Sequence, residues 1–388
     1  MTGPARPALR MLISAVEPSG DLLGAALMAA LKKQAPDIQF TGCGGPLMAG
    51  NGLESLFPIE PFSVIGPVGA LRALPAALSG ARRLAEAAQA EQTDAAILID
   101  SWSFSRLAAE RIKRASPSTK LFKYVAPQIW GSRPKRAETV ARLFDGVLTL
   151  FEFENPYFES AGAAVAFVGS STFQEAANHK AEPTVFRARY GLADAPLLAV
   201  LPGSRKAEVR RLAEPFGETA RLMTEKIPDL RLVVPVAQAV RNEVRDLAAN
   251  WPGAPVFVEP GERFEAFAAA NAALAASGTV TTELAISKTP MIVGYCVGPV
   301  TASWIRHVAT TPYASVINIA AGREVVPEFL QEKCRPTAMA QALVPLFTGP
   351  ARDAQLQAFP PLLSRLGVGG PPAATSAAAA IMRWIGEN

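Results

Sequence analysis

The sequence predicts an α/β protein with two doubly wound parallel sheets, one in each half of the chain. Apolar runs of strand length alternate with Ala-rich runs of helix length along the 388 residues. The strand-like runs are apolar throughout, which is typical of parallel strands that helices cover on both faces. The pattern breaks into polar residues around 175–183 and then restarts, and a chain of this length usually forms two domains.

The individual elements follow in order from this alternation of strands and helices. In the first half, the predicted strands are 9–15, 38–42, 95–99, 121–125, 146–150 and 164–168. The helices between them are 22–33, 82–89, 106–115 and 136–142. In the second half, the predicted strands are 197–201, 232–236, 255–258, 272–276 and 291–295. The predicted helices of this half include 208–225 and a last helix at 373–385.

We expect three parts in the chain, at 1–180, 181–348 and 349–388. The first two hold one sheet each, and the third holds helices that we expect to pack back on the N-terminal domain. Two such sheets can face each other across a cleft. Ligands of open α/β sheets bind beyond the carboxyl ends of the strands, so the functional residues should lie in turns that directly follow strands.

Composition argues against several classes of protein. The net charge is only +4 without a dense Lys/Arg block, so nucleic-acid binding is not expected. Three dispersed cysteines without CxxC spacing and two histidines argue against a metal site, a His-based triad and an oxidising compartment. We see no signal peptide and no apolar run of about 18 residues, so we expect a cytoplasmic protein with at most peripheral membrane contact.

The first polar turn, at 16–21, reads VEPSGD and follows the first predicted strand. Gly20 permits a tight turn, and Ser19 or Asp21 can cap the helix that follows. A well-capped helix is therefore one interpretation of this turn. Glu17 is not needed as a cap, and its position at the end of an apolar strand favours a role in the cleft.

The second polar turn, at 98–104, reads LIDSWSF. Asp100 ends a strand that we expect to be central and buried. Partial desolvation raises the pKa of a carboxyl group and makes it a better base. Asp100 could instead cap a helix or form a structural ion pair, but Ser103 is equally placed for the cap, so we favour a functional role.

Two further turns between a strand and a helix lie in the second half. The turn LPGSR at 201–205 offers free backbone N–H groups, and Arg205 adds a planar donor suited to phosphate oxygens. In ASGTVTTE at 276–283, small residues permit close approach to a diphosphate, and Glu283 could accept from ribose hydroxyls. A capping box is the alternative for the second turn, but together the two turns indicate a nucleotide site.

Two stretches combine apolar or aromatic residues with basic ones. The apolar stretch 62–78 is followed by arginines and could lie against anionic lipid, although packing on the domain is an equal alternative. Trp130 and the basic residues after it could line a pocket for an anionic acceptor or form a solvated helix face. The basic residues of the two stretches are Arg72, Arg82, Arg83, Arg133, Lys135 and Arg136.

Five motifs, taken in order, resemble those of the lipid-A-disaccharide synthase family. They are EPSGD at 17–21, PQIW at 127–130, LPGSR at 201–205, ASGT with TTE at 276–283, and NIAAGREVVPEFLQ at 318–331. Each of the short motifs is weak alone, whereas the ordered set is specific. The resemblance spans nearly the whole chain.

The resemblance implies a GT-B fold with two Rossmann-like domains, an N-terminal one for the acceptor and the membrane and a C-terminal one for the UDP-sugar. It implies an inverting glycosyltransferase that joins UDP-2,3-diacylglucosamine to 2,3-diacylglucosamine 1-phosphate and releases UDP, in lipid A biosynthesis. It also implies no cofactor, no obligatory metal and a place on the anionic inner face of the cytoplasmic membrane. A homodimer is left open.

Matching motifs assign roles to individual residues. Asp100 would be the general base on the acceptor hydroxyl. Arg205 and the turn 277–279 would hold the diphosphate, and Glu283 would lie near the ribose. The predicted substrate-binding residues are Glu17, Ser19, Arg205, Ser277, Gly278, Thr279, Glu283, Asn318, Arg323 and Glu324.

Four positions depart from the motifs of the family, namely Val16, Ser103, Ser105 and Ser170. They lie in or near the expected cleft, and two readings other than the synthase remain open because of them. One is another GT-B enzyme that uses UDP-GlcNAc, such as a lipid-linked transferase or an epimerase. The other is a relative that binds a UDP-sugar or a lipid without turnover.

Overall fold

The computed structural model describes residues 8–62, 66–131 and 135–387, which form two six-stranded parallel sheets surrounded by helices. This confirms the predicted fold class. The chain divides into two compact units. Unit 1 comprises Met1–Ser171 with Gly370–Asn388, and unit 2 comprises Thr172–Gly369.

Unit 1 contains the first sheet, with strand order β2-β1-β3-β4-β5-β6. Its strands are β1 (Arg10–Ala15), β2 (Gln39–Cys43), β3 (Ala95–Ile99), β4 (Lys120–Tyr124), β5 (Gly146–Thr149) and β6 (Val165–Phe167). Its first six helices are α1 (Pro18–Gln34), α2 (Pro46–Ala49), α3 (Gly66–Ala90), α4 (Trp102–Ala115), α5 (Arg136–Leu143) and α6 (Asn155–Glu159).

The core of unit 1 lies on both faces of its sheet. Every residue of the central strand β3 is buried. Successive side chains of a strand point to opposite faces, so Leu98 joins one apolar cluster while Ile97 and Ile99 join the other. Residues of α3 and α4 complete the first cluster and residues of α1 the second. Burial on both faces explains why these strands read as continuous apolar runs.

Unit 2 contains the second sheet, with strand order β12-β11-β10-β7-β8-β9. Its strands are β7 (Leu197–Leu201), β8 (Arg231–Pro235), β9 (Val256–Val258), β10 (Ala272–Ala275), β11 (Met291–Tyr295) and β12 (Glu328–Leu330). Its first helices are α7 (Ser171–Asn178), α8 (Pro183–Arg189), α9 (Lys206–Lys226), α10 (Arg241–Ala248) and α11 (Arg263–Ala269). The others are α12 (Val280–Ile286), α13 (Pro299–Val308), α14 (Val316–Ala321), α15 (Pro336–Phe347) and α16 (Pro350–Arg365).

The last helix, α17 (Ala373–Gly386), returns to unit 1 and packs against α1. Trp384 stacks on Phe122 with their ring centroids 5.6 Å apart. The division of the chain thus falls after Ser171 and again after Gly369, whereas the sequence analysis placed it at 180 and kept 349–388 together. Among the helices described, none is both long and apolar enough to cross a bilayer.

Helix α16 is fastened to the sheet of unit 2 by one buried glutamine. The Gln355 side chain accepts from the Met291 N–H at 2.9 Å and donates to the Met291 carbonyl at 3.0 Å. Both bonds are buried. The side-chain amide of Gln355 thus satisfies the N–H and the carbonyl of Met291, as the backbone of a neighbouring strand would. Loss of this side chain leaves two buried backbone groups without their partner, which costs more than the loss of the bonds alone.

Replacement of Gln355 by leucine should therefore destabilise unit 2. The expected loss is about 2–4 kcal/mol in the free energy of unfolding, because a buried donor and a buried acceptor both lose their partner. Denaturant unfolding followed by circular dichroism measures it. The matched control is Gln357→Leu, an exposed position of the same helix, where a change within about 0.5 kcal/mol is expected. Equal effects of the two substitutions would contradict this role of Gln355.

Candidate functional site

Two polar turns meet at the carboxyl edge of the sheet in unit 1. Strands β1 and β3 are neighbours, with Ala15 opposite Ile99, so the turns that follow them lie side by side. The Ser19 hydroxyl donates to the Asp100 carboxylate at 3.3 Å. Glu17 is the N-cap residue of α1 and is half-buried. The structure therefore brings together the three residues of this edge that the sequence predicted.

Asp21 has a structural role. Its buried carboxylate accepts from the backbone N–H groups of Gly45, Leu47 and Met48 at 2.8–3.0 Å. It thereby caps α2 rather than the helix that contains it. The N-cap position of α1 makes no side-chain capping bond, so neither Ser19 nor Asp21 serves as the cap considered from the sequence.

The turn at Asp100 has an unusual backbone. Asp100 and Ser101 both adopt left-handed conformations, with φ of 49° and 34°. The Asp100 carbonyl accepts from the Ser105 hydroxyl at 2.7 Å, which gives that departure from the family motif a structural role. Ser101, not Ser103, is the N-cap residue of α4, and Ser103 is exposed in the first helical turn. The half-buried Asp100 side chain is thus not explained as a helix cap.

Lys123 is a charged residue of this edge that the sequence analysis missed. It lies on β4, the neighbour of β3 in the middle of the sheet, and is fully buried. Its ammonium donates to the carbonyls of Leu98, Asp100 and Tyr124 at 3.1, 2.5 and 3.2 Å. Burial lowers the pKa of Lys123 to about 7, although the charges of Asp100 and Glu17 act in the opposite direction. The available signal was a lysine inside the apolar run 121–125.

Glu154, just after β5, is the second buried group that was missed. Its carboxylate accepts from the Trp130 indole N–H at 3.0 Å and from the backbone N–H groups of Leu150 and Phe151 at 3.1 Å. Burial raises the pKa of Glu154 to about 7, which outweighs the opposing effect of these hydrogen bonds. The indole N–H of Trp130 is therefore held by Glu154, and the ring of Trp130 packs edge-on against Phe153.

Both polar turns of unit 2 line one pocket at the carboxyl edge of its sheet. The cavity has a volume of about 370 Å³. Its lining includes Gly203 and Ser204 after β7, Pro235 to Gln238 after β8, and the turn 277–279 after β10. Arg263, Phe267 and Glu283 complete its wall. A concave site with polar groups at the ends of three parallel strands is the arrangement expected for a nucleotide.

The turn at 203–205 is held by the Glu208 carboxylate. Its Oε2 accepts from the backbone N–H groups of Ser204 and Arg205 at 3.3 Å, and its Oε1 accepts from the Arg205 guanidinium at 2.7 Å. The Arg205 side chain is 76% exposed despite this ion pair. Gly203 is needed here, because its φ is +115° and a Cβ would lie 2.9 Å from the Glu208 side chain.

The second turn presents its backbone to the pocket. The Ser277 hydroxyl donates to the Ala314 carbonyl at 2.7 Å, so its side chain fixes a neighbouring loop. Gly278 has a φ of +155° and open space beside it, and Thr279 is exposed. The N-cap position of α12 makes no side-chain capping bond. Glu283 instead pairs with Arg263 at 3.4 Å on the pocket wall, and the capping box is not observed.

Asn318 is a framework residue of the long motif at 318–331. Its amide donates to the Val326 carbonyl and to Glu328, and it accepts from the backbone N–H groups of Val325 and Val326, all at 2.7–2.9 Å. Arg323 and Glu324 are exposed and line a different cavity, beside α15 and α16. The structure thus does not bring these three residues to the wall of the nucleotide-type pocket.

Some residues that the sequence singled out lie outside the residues that the structure describes. Arg133 and residues 63–65 are not described, nor is the side chain of Arg72. Farther along α3, Leu74 and Leu78 are exposed, and Arg82 forms an ion pair with Glu86 at 2.7 Å. Within the described ranges, no three His, Cys, Asp or Glu side chains form a cluster that could hold a metal ion.

The two sheets and the pocket define the class of protein. Solved structures with the same fold include a glycosyltransferase from Rickettsia africae, with a TM-score of 0.59, 10% identity and coverage of 99% of this chain and 100% of the other. A calicheamicin glycosyltransferase gives a TM-score of 0.54 at 15% identity over 98% and 99% of the two chains. The Methanocaldococcus jannaschii UDP-GlcNAc 2-epimerase gives 0.56 at 12% over 97% and 100%. The chain has the GT-B glycosyltransferase fold.

Sequence comparison gives the family within this class. The model of the lipid-A-disaccharide synthetase family matches residues 11–358, and the chain belongs to that family of glycosyltransferases. The lipid-A-disaccharide synthase of Ruegeria pomeroyi is 42% identical over 96% of this chain and 95% of its own length. That of Rhodospirillum centenum is 38% identical over 98% and 95%. The recognition made from the motifs is confirmed.

The buried carboxyl group of Glu154 predicts a pH dependence of stability. Because its pKa in the folded state lies near 7 rather than at the ordinary 4.5, its stabilising contribution is present below about pH 4.5 and is lost as pH rises through 7. Glutamine does not titrate. The stability of wild type relative to Glu154→Gln should therefore fall by about 3 kcal/mol between about pH 4 and pH 8.

Denaturant unfolding of both proteins across this pH range measures that difference. Glu159→Gln, an exposed position in the adjoining helix, is the control and should show a difference that is flat with pH. A flat difference for Glu154→Gln as well would show that its carboxyl group titrates alike in the folded and unfolded states.

Proposed function

We propose that this chain joins UDP-2,3-diacylglucosamine to 2,3-diacylglucosamine 1-phosphate, giving lipid A disaccharide 1-phosphate and UDP. Family membership supports a nucleotide-sugar donor and a phosphorylated sugar acceptor. The observation that carries the proposal is the pocket of unit 2. Two turns that are more than 70 residues apart line it together, and both have the small residues that a diphosphate requires.

The donor binds in this pocket. Backbone N–H groups of Gly203 and of the turn 277–279 face the diphosphate, and the start of the long helix α9 adds the positive end of its dipole. The exposed guanidinium of Arg205 binds phosphate oxygens and stabilises the charge that develops on the departing UDP. Glu283 accepts from a ribose hydroxyl. Asn318 acts indirectly, because it holds Glu328, which in turn binds the loop that Ser277 contacts.

Asp100 activates the acceptor. Its carboxylate removes the proton of the acceptor hydroxyl as the oxygen attacks the anomeric carbon of the donor sugar. The bond from that carbon to the UDP oxygen breaks as the new C–O bond forms, so the configuration inverts in one displacement. UDP leaves with the bonding electron pair, and Asp100 holds the proton until solvent takes it. Ser19 orients the carboxylate, and Glu17 contacts the acceptor sugar.

The activity of Asp100→Asn tests the proposal. UDP release in detergent should require both lipid substrates, and Asp100→Asn should lower kcat by about 100-fold or more because the amide cannot accept the proton. The control is Asp94→Asn, at the opposite end of β3, where the carboxylate accepts from the Arg10 backbone N–H. It should leave kcat unchanged.

Three outcomes separate the open readings. Undiminished release by Asp100→Asn would remove the base role. Release from UDP-GlcNAc without the diacylated acceptor would favour another GT-B enzyme. A wild-type protein that binds UDP but releases none from these substrates would favour a non-catalytic or altered-substrate relative.

We also propose that the protein works on the anionic inner face of the cytoplasmic membrane as a peripheral protein. The exposed Leu74 and Leu78, followed by Arg82 and Arg83 on the same helix, support this surface. Light scattering after gel filtration tests whether the protein forms a homodimer.

Replacement of both leucines by serine should weaken membrane binding by about tenfold, since apolar area no longer enters the lipid. Sedimentation with phosphatidylglycerol-containing vesicles measures the bound fraction. Leu247→Ser with Val344→Ser is the matched control, because both residues are exposed in unit 2. An equal loss in both double variants would contradict a specific membrane surface on α3.

A further inference from the structure

The Lys123 ammonium is bound entirely by the backbone. An ammonium group has three N–H donors, and Lys123 places them on the carbonyls of Leu98, Asp100 and Tyr124. A buried cation is costly unless polar groups satisfy it. The reaction proposed above does not require a lysine at this position, so the steps of that reaction do not explain the buried ammonium on β4.

Two of these carbonyls belong to peptide groups that directly precede left-handed residues. The Asp100 carbonyl precedes Ser101, with a φ of 34°, and the Tyr124 carbonyl precedes Val125, with a φ of 66°. Asp100 itself has a φ of 49°. Such conformations are unfavourable in residues with a side chain, and they persist only where the surroundings fix them. For a β-branched valine the conformation is especially unfavourable.

We propose that Lys123 is a positioning residue for the transfer reaction, whose ammonium holds the two left-handed turns and thereby directs the Asp100 carboxylate at the acceptor hydroxyl. The inference rests on the proposed role of Asp100 as the base. Ser105 supports the same carbonyl of Asp100 from the side of α4. In this conformation of the turn, the Ser19 hydroxyl donates to the Asp100 carboxylate at 3.3 Å.

Titration of Lys123 makes this positioning dependent on pH. Burial lowers its pKa to about 7, and the facing charges of Asp100 and Glu17 oppose that shift. The neighbouring phenol of Tyr124 stays neutral, since burial raises its pKa to about 12. Loss of a proton leaves an amine with two donors for three carbonyls. Positioning should therefore weaken, and kcat fall, as pH rises through about 7.

Lys123→Met tests the positioning role. It keeps the length of the side chain but removes all three donors. We expect kcat to fall at least about tenfold, while the Kd of UDP, which binds in unit 2, stays unchanged. The control is Lys120→Met on the same strand, where the ammonium donates to the Trp384 carbonyl at 2.7 Å. It should retain the wild-type kcat.

The dependence of kcat on pH separates positioning from a purely structural role, because a purely structural role of Lys123 would not change this dependence. Wild type should show an alkaline decrease centred near pH 7, and the permanently charged Lys123→Arg should retain activity without that decrease. Wild-type kcat and profile in Lys123→Met would overturn the inference. An alkaline decrease in kcat that wild type and Lys123→Arg share would also overturn it. So would the absence of this decrease in wild type, and that measurement does not depend on the folding of any variant.

The failure of this inference is distinguishable from that of the proposed function. Full activity of Asp100→Asn removes the base role and the inference with it. An inactive Asp100→Asn combined with a fully active Lys123→Met overturns the inference alone.

Discussion

The in-register pairing of parallel strands β1 and β3 is the constraint on which the site of unit 1 depends. Ala15 lies opposite Ile99, so both strands end at the same level. The turns after them must then meet, which brings Ser19 to Asp100 across 81 residues of sequence. The equivalent pairing of β7 with β10 brings the two turns of unit 2 around one pocket. Parallel strands thus collect distant polar residues at one edge of each sheet.

Carboxylates that accept from backbone N–H groups hold the turns at these edges. Asp21 accepts from three backbone N–H groups, and Glu154, Glu208 and Glu328 accept from two each. Each satisfies backbone N–H groups that no helix or strand pairs. The half-buried Asp100 carboxylate differs, because it accepts from the hydroxyl of Ser19. This difference separates the acids that shape the site from Asp100, which we propose as the base.

The sequence predicted the two sheets because strands buried on both faces leave continuous apolar runs, and three of them, including β3, match the structure at both ends. It missed β12, a three-residue edge strand whose pairing with β11 is a tertiary property. It also identified the polar turns, but it could not distinguish the residues that hold each turn from the residues that could bind a substrate. The partners of Asp21 and Asn318 come from other loops, and Lys123 donates to carbonyls at the ends of β3 and β4. Side-chain chemistry alone could not reveal these contacts.

Helix α17 makes unit 1 a discontinuous domain, and this has a consequence during synthesis. The strands of unit 1 leave the ribosome first, but the part of the sheet around Phe122 lacks the cover of α17 until Gly370–Asn388 has been made. Trp384 also fills the space beside Gly146, where a Cβ would lie 2.5 Å from its ring. Unit 1 must therefore wait for the whole of unit 2 to be translated before its own core can close, and until then nascent chains expose the apolar part of the sheet that α17 covers.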